Sequence, residues 1–360
     1  MRWLACTFLS LLGVVCSAQA NGQPKRQDAV SAMSRLIRAR KIVMFGEIHD
    51  SKQEYEWLCK LVNTPKFADQ VDDIVVEFGN ALYQNDVDRY VAGNDVPFDQ
   101  VQKAWRNMIA SVTPVSPVYG WLYQAVRESN LERHGNHQIR LLLGSPPGDW
   151  DKIKTAQDLA PFEAEREQWY MHVVKDEVLA KHHHALLIMG MGHFLRGSAQ
   201  AVQDGLLIQQ HRPVPPVNRT QLGPGFIESE LRAAGASPYL VVVGTNVIDN
   251  RGDVDKRFDT WPVPVIVPLS DSWAGALPAQ PVITGGHASA TPLTLADQAD
   301  AILYVAPCST LKLIYSSQAE LDGTPYGNEM IRRNIIELGH PLDFQYGEVP
   351  QCVRLQNPQQ

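Results

Sequence analysis

Short apolar runs of strand length recur along the chain, at residues 42–45, 74–78, 139–143, 185–189, 239–243 and 301–305. Several lack the apolar–polar alternation of a half-exposed strand, the pattern of strands covered on both faces. Helical stretches separate most of them. Residues 28–40 place Val30, Met33, Leu36 and Ile37 along one side, and further stretches span 54–61, 87–110, 121–129 and 163–181. This alternation predicts an α/β fold, a mainly parallel central sheet flanked by helices in three layers. The pattern dissolves over 247–292, richest in Pro and Gly from Trp261 to Pro292. That segment reads as a loop-rich surface insertion, a lid or a substrate-contacting excursion within one domain spanning 21–360. Residues 213–217, Pro-Val-Pro-Pro-Val, read as a second stiff loop.

Composition narrows the class. With 44% hydrophobic and 20% charged residues over 360 positions, the chain can bury a proper core and is neither disordered nor collagen-like. The balance of 32 basic against 39 acidic residues gives −7, without a Lys/Arg run. Nucleic acid and anionic membranes are therefore poor partners, and a small-molecule or peptide substrate is expected.

The first twenty residues read as a secretory signal. Arg2 gives a positive end, residues 3–15 are apolar apart from Thr7, Ser10 and Gly13, and Ala18-Gln19-Ala20 offers small residues for cleavage. Cys16 follows Gly13-Val14-Val15, which lacks the Leu and the small residue usual before a lipidated cysteine. Soluble export, periplasmic or extracellular, is the expectation. No later run reaches the ~18 apolar residues of a membrane helix, so the chain does not read as an integral membrane protein. Beyond Cys6 and Cys16 there remain Cys59, Cys308 and Cys352, enough for one disulfide. Cys308 with Cys352 is the preferred pair, since both lie in the C-terminal third.

Chemistry gathers at the strand ends, where a parallel sheet forms its ligand crevice. The first run leads into Gly46-Glu47-Ile48-His49-Asp50, the second ends in Glu77, and the fourth leads into Gly190-Met191-Gly192-His193. Each glycine permits a sharp turn and a close approach to a ligand. Two imidazoles with two carboxylates suit a divalent metal, for which His49, Glu77 and His193 are the candidate ligands, or a water activated by a general base. Other groups have two readings each. Asp149 either enters the crevice after the third strand or caps the segment from Asp151; Arg106 and Arg196 are either anion clamps or solvated side chains. Cys308 is either a thiolate at a helix start or, as the exported setting favours, half of a disulfide.

These motifs resemble the superfamily that joins erythromycin-esterase-like hydrolases, the Tiki metalloproteases and the ChaN haem-binding lipoproteins. Gly46-Glu47-Ile48-His49, Glu77 and Gly190-Met191-Gly192-His193 match its three signatures, and the resemblance covers about 42–195. It implies that Glu47, His49, Glu77 and His193 line a catalytic pocket. In the esterase-like branch His49 would activate water; in the Tiki branch the same positions would hold a divalent cation. In the ChaN branch the pocket would face haem, but no second His follows Gly-Glu-Ile-His closely here, and the lipobox is missing. The expectation is an exported ester or amide hydrolase, with a haem-binding protein as the alternative.

Three further signals are set aside. Consecutive His182-His183-His184 point in different directions and read as exposed. Arg251-Gly252-Asp253 and the sequon Asn218-Arg219-Thr220 occur readily by chance. The chain has no Gly-x-Gly-x-x-Gly after a strand, no Walker loop, no Gly-x-Ser-x-Gly and no His-Glu-x-x-His, so nucleotide-binding, serine-hydrolase and zincin readings recede.

Overall fold

The computed structural model describes residues 25–109, 116–133, 137–197, 207, 210, 224–244, 256–258, 261–279, 283–284, 287–288 and 293–351. The signal segment, the 213–217 loop, the sequon, the Arg-Gly-Asp triplet and Cys352 lie outside them.

Twelve strands are described: β1 (Gln27–Asp28), β2 (Ile42–Glu47), β3 (Asp73–Asn80), β4 (Arg140–Ser145), β5 (Ala185–Gly190), β6 (Tyr239–Val243), β7 (Val265–Pro268), β8 (Ile283–Thr284), β9 (His287–Ala288), β10 (Ala301–Tyr304), β11 (Lys312–Tyr315) and β12 (Gly347–Pro350). Eight of them form one sheet in the order β1-β7-β10-β6-β2-β5-β3-β4. The run from β10 to β4 is parallel throughout. Strands β7 and β1 close one edge antiparallel. Helices α1 (Ala29–Arg40), α2 (Lys52–Val62), α3 (Pro65–Ala68), α4 (Gln84–Val91), α5 (Phe98–Arg106) and α6 (Val118–Glu132) pack with the core of one face. Beyond them come α7 (Ala156–Ala164), α8 (Arg166–Val173), α9 (Phe226–Ala233), α10 (Leu295–Gln298), α11 (Gln318–Leu321) and α12 (Pro325–Leu338). Of these, α8, α9 and α10 supply the core of the other face. The expected three-layer α/β architecture is therefore present. No described helix is long and apolar enough to cross a membrane.

All six apolar runs are strands of the main sheet. Their side chains alternate between the two cores: Val43 and Phe45 face α2 and α6, whereas Ile42 and Met44 face α8 and α9. Both sets are apolar because both faces are covered.

The structure corrects three expectations about elements. The 87–110 stretch is two helices, because Gly93 (φ 98°) ends α4 and Pro97 precedes α5. The 163–181 stretch breaks into α7, α8 and a π-turn over 174–179. The 247–292 segment is not purely a surface excursion, since Val265, Ile266 and Val267 are buried in β7. Beside them Phe258 stacks on Tyr304 at 4.8 Å and meets Trp261 edge-on at 4.3 Å. The His triplet is also tighter than expected. His183 Nδ1 lies 2.7 Å from Asp73, and His184 Nδ1 lies 3.2 Å from the Gln70 carbonyl, so both brace the strand starts while His182 is exposed.

Candidate functional site

The register of β2, β5 and β3 places the site. Glu47 stands abreast of Gly190, and Val76 abreast of Ile188, so the carboxyl ends of three neighbouring strands share one level. Alternation then sends the two glutamates to opposite faces. Glu47 continues the Val43–Phe45 side towards α2, where the Tyr55 hydroxyl donates to its Oε2 at 3.3 Å. Glu77 continues the Val75 side towards α8, where Arg166 Nη2 donates to its Oε1 at 3.2 Å. Its other oxygen accepts from the Gly190 backbone N–H at 2.7 Å. Both carboxylates are buried at the end of an apolar strand, which is tolerable only because each is hydrogen-bonded.

The turn after β2 brings His49 back over the strand ends. Asp50 there adopts a left-handed φ of 66°. His49 Nδ1 is hydrogen-bonded to Glu47 Oε1, which fixes the ring orientation. Its ε-edge faces Gly190 and Glu77: a Cβ built on Gly190 would lie 2.9 Å from Cε1, 3.0 Å from Nε2 and 3.3 Å from Glu77 Oε2. Gly190 is thus needed for close approach. The His49 side chain keeps 41% exposure, so the ring is open to a ligand from the crevice.

His193, one turn beyond β5, forms a second pair of the same kind. Its Nδ1 lies 2.7 Å from Glu167 Oε1 and its Nε2 3.4 Å from Glu77 Oε1. Arg166 Nη2 approaches Nε2 at 3.2 Å, a contact that is a hydrogen bond only when the ring is neutral and its proton sits on Nδ1. The arrangement therefore holds two imidazoles, each oriented at Nδ1 by a carboxylate, with Glu77 serving both.

Charge follows geometry. Burial opposes the charged form of His49, but Glu47, with Glu77 and Asp50 behind it, outweighs burial and pushes the ring up to about 10. Burial likewise opposes His193, and Glu77 and Glu167 bring it up to about 9. Burial disfavours the Glu77 anion too, yet His193, His49 and Arg166 hold its carboxyl well below the usual range. Beneath the site, burial and then the charge of Glu47 push Glu54 well above an ordinary carboxyl; its carboxyl accepts from the Ile48 N–H at 3.1 Å.

Glu47, His49, Glu77 and His193 are brought together as expected. The metal-ligand set differs: donor atoms of Glu47, His49 and Glu77 lie within 4.8 Å of one another, a set that takes Glu47 in place of His193. Arg166, a fixed cation beside His193 Nε2, explains why that nitrogen is a poor ligand position. The three secondary candidates have partners elsewhere. Asp149 accepts from the Asp151 N–H at 3.0 Å and pairs with Lys152 at 3.1 Å, capping its own turn. Arg106 lies over the Tyr326 ring at 4.4 Å and 3.9 Å from Glu320, in a small cavity of about 160 Å³. Arg196 is clamped by buried Glu228 (3.0 Å) and by Asp300 (2.8 Å), tying α9 to the start of β10. Cys308 is disulfide-bonded and so is no thiolate; its expected partner, Cys352, is outside the described residues.

Arg166 and Glu167 escaped sequence reasoning because no motif marks them. Glu54 and Tyr55 carried a signal: Glu54 sits on the same buried side of α2 as Leu58 and Leu61, where a carboxylate needs a reason.

No protein-family model matches the chain, and no curated protein matches it. Among solved structures it is similar to the type III effector HopBA1, at 12% identity over 81% of this chain and 99% of that one, with a TM-score of 0.40. It is also similar to a Bacillus cereus protein, at 9% identity over 79% and 95%, TM-score 0.48. A third similarity is to ChaN of Campylobacter jejuni, described for cofacial haem binding, at 11% identity over 62% and 89%, TM-score 0.30. At these identities and scores, the likenesses carry no statement about what this chain does.

Proposed function

We propose that the protein is an exported hydrolase that cleaves an ester or amide bond in the pocket of Glu47, His49, Glu77 and His193. One observation carries the reading: two imidazoles, each fixed at Nδ1 by its own carboxylate, converge on a shared buried glutamate at the ends of three adjacent parallel strands. Such preorganisation is what acid–base chemistry requires. It is wasteful in a surface that only folds.

The donor set fits a divalent cation. Glu47, His49 and Glu77 present two oxygens and one nitrogen within 4.8 Å, and the anionic field that retains a proton on His49 favours any small cation there. These three residues would hold zinc, manganese or iron, which supplies a polarised water and a Lewis acid. The chain's own residues complete the reaction. Glu47 orients His49 and takes up the proton released as water attacks the carbonyl carbon, while Glu77 stays ionised as the counter-charge to both rings. His193, charged near neutrality, gives its Nε2 proton to the leaving oxygen or nitrogen as the scissile bond breaks, and Glu167 holds that ring in line.

Haem binding is the second reading, resting on the open His49 ring backed by Glu47. The carboxylates packed around His49, Glu47 and Glu77 foremost, offer oxygen donors to a small cation and little apolar surface to a porphyrin face, so the site favours a bare cation. Metal analysis with a visible spectrum of the purified protein tests both. The expected result is a bound divalent metal, no Soret band on adding haemin, and loss of ester or amide turnover on chelation. In His49→Ala and His193→Ala, turnover should fall by about 10²–10⁴-fold with native circular dichroism. Undiminished activity in both variants would remove the hydrolase reading, and a Soret band lost in His49→Ala would install the haem reading.

A further inference from the structure

The first turn of α2 departs from a local rule. Ser51-Lys52-Gln53-Glu54 has the sequence of a capping box, in which the N-cap hydroxyl and the carboxylate three residues on each accept the other's backbone N–H. Three boxes of this kind close in the chain: Thr155 with Asp158, Thr294 with Asp297 and Ser317 with Glu320. At α2 the box stays open. The Ser51 N–H donates to the Ile48 carbonyl at 3.2 Å, and the Ser51 hydroxyl donates to Gln351 at 3.1 Å. Glu54 passes over Ser51 and accepts from the Ile48 N–H instead, at 3.1 Å to Oε2 and 3.3 Å to Oε1. Its side chain is fully buried, a position that costs stability for a carboxyl held by a single donor. Such a departure from local preference, at some cost, is expected where function decides the geometry.

Ile48 is the residue between Glu47 and His49. Its neighbours are held from beneath as well. Tyr55, next to Glu54 on α2, donates to Glu47 Oε2 at 3.3 Å, and the Tyr119 hydroxyl of α6 donates to Asp50 Oδ1 at 3.3 Å. Both tyrosines are fully buried and meet edge-on at 5.6 Å. Residues 47, 48 and 50 are thus each gripped on the core side, while the His49 side chain opens to the crevice. The grip is referenced to a fixed frame, since Tyr55, Leu58, Leu61 and Val62 lock α2 into the core.

We propose that Glu54 is a positioning residue of the pocket: by holding the Ile48 N–H it sets the peptide between Glu47 and His49, so that the two side chains meet and face one point in the crevice. The proposal rests on the hydrolase reading only where turnover is concerned. The alignment itself concerns the Glu47–His49 pair with or without a reaction.

The test compares Glu54→Gln, which keeps a carbonyl oxygen for the Ile48 N–H, with Glu54→Leu, which fills similar space without an acceptor. Three quantities are read: Zn²⁺ affinity by calorimetry, kcat and KM on 4-nitrophenyl acetate, and the His49 Hδ1 resonance of metal-free protein, which the bond to Glu47 protects from exchange. Glu54→Leu should weaken Zn²⁺ binding by about 10–100-fold, the range for groups that orient metal ligands. It should lower kcat by about the same factor with KM little changed, and lose the Hδ1 resonance. Glu54→Gln should stay close to wild type in all three. Wild-type behaviour of Glu54→Leu, or a lowered melting temperature with the three readouts intact, would overturn the proposal and leave Glu54 a stability residue. Losses in Glu54→Gln as large as in Glu54→Leu would also overturn it, since charge rather than the acceptor would then matter. If wild type hydrolyses no ester, the hydrolase reading falls while Zn²⁺ affinity and the resonance still decide the alignment. Should Glu54→Leu not fold, Glu54→Asp takes its place: one methylene shorter, it draws the acceptor away from the N–H and should show the same losses.

Discussion

At the scale of single residues, the site is a matter of which charge faces which. The His49 proton is held by Glu47, so Glu47→Gln should titrate His49 well below 10, read by NMR of the ring protons in metal-free protein. The sign for stability follows. A histidine whose pKa rises from 6.5 to about 10 on folding stabilises fully below about 6.5, and that contribution is lost as pH climbs through 10. Wild type should therefore lose stability to urea between pH 6 and pH 10, and Glu47→Gln should flatten the His49 part of that slope. Asn80 tests a different kind of dependence. It is fully buried, donates to the carbonyls of Asn107 (2.6 Å) and Gly148 (2.7 Å), and accepts from the Leu82 N–H. Asn80→Ala leaves those groups unsatisfied and should cost roughly 1–3 kcal/mol or more in denaturant unfolding.

At the scale of elements, two glycines at strand ends separate site geometry from stability. Gly190→Ala would push a methyl against the His49 ring, which sits in a turn and can swing outward. Its melting temperature should move little while turnover drops, by up to about 10²-fold for a displacement near 1 Å. Gly144→Ala meets Tyr170 Cδ2 at 2.4 Å and the Val76 carbonyl at 2.9 Å. Tyr170 is fully buried and its hydroxyl donates to the Val75 carbonyl at 3.0 Å, so neither neighbour can yield. That variant should be destabilised by about 1–3 kcal/mol, visible as a shift in the thermal midpoint. The strand ends were legible because a covered strand reads as an apolar run and its first polar residue marks the rim. β7 was not, since Val265, Ile266 and Val267 stand between Pro264 and Pro268 in a Gly/Pro-rich stretch and their partners on β10 are remote in sequence.

At the scale of the whole molecule, the two-stranded sheet of β11 and β12, with the residue that follows it, holds the His49 turn in place. The Ile314 N–H donates to the Asp50 carbonyl at 2.9 Å, Ser51 bridges to Leu313, and the Ser51 hydroxyl donates to Gln351 at 3.1 Å. Lys52 and Lys312 both reach Glu348 of β12, an exposed cluster that adds little by itself. Deleting residues 341–360 should therefore raise amide hydrogen exchange in 48–51 and lower kcat, with β3 and β4 remaining protected. Equal protection of 48–51 in the shortened chain would show that the turn is rigid unaided.

What the sequence determined by itself is the set of strands and the polar residues that end them. Burial on both faces leaves a local imprint, an unbroken apolar run, and glycine followed by a histidine at its end is equally local. Only the tertiary structure decided the partners. Whether Glu47 meets Tyr55 and Glu77 meets Arg166 depends on strand register, on which face each carboxylate takes, and on which helix packs there. Glu77 and Arg166 are 89 residues apart, and even the eight residues from Glu47 to Tyr55 cross a turn whose path the packing of α2 sets, so no short stretch of sequence encodes either pairing. The same reason separates Arg166 from Arg106 and Arg196: three arginines on comparable stretches, distinguished by the carboxylates that folding brings to each.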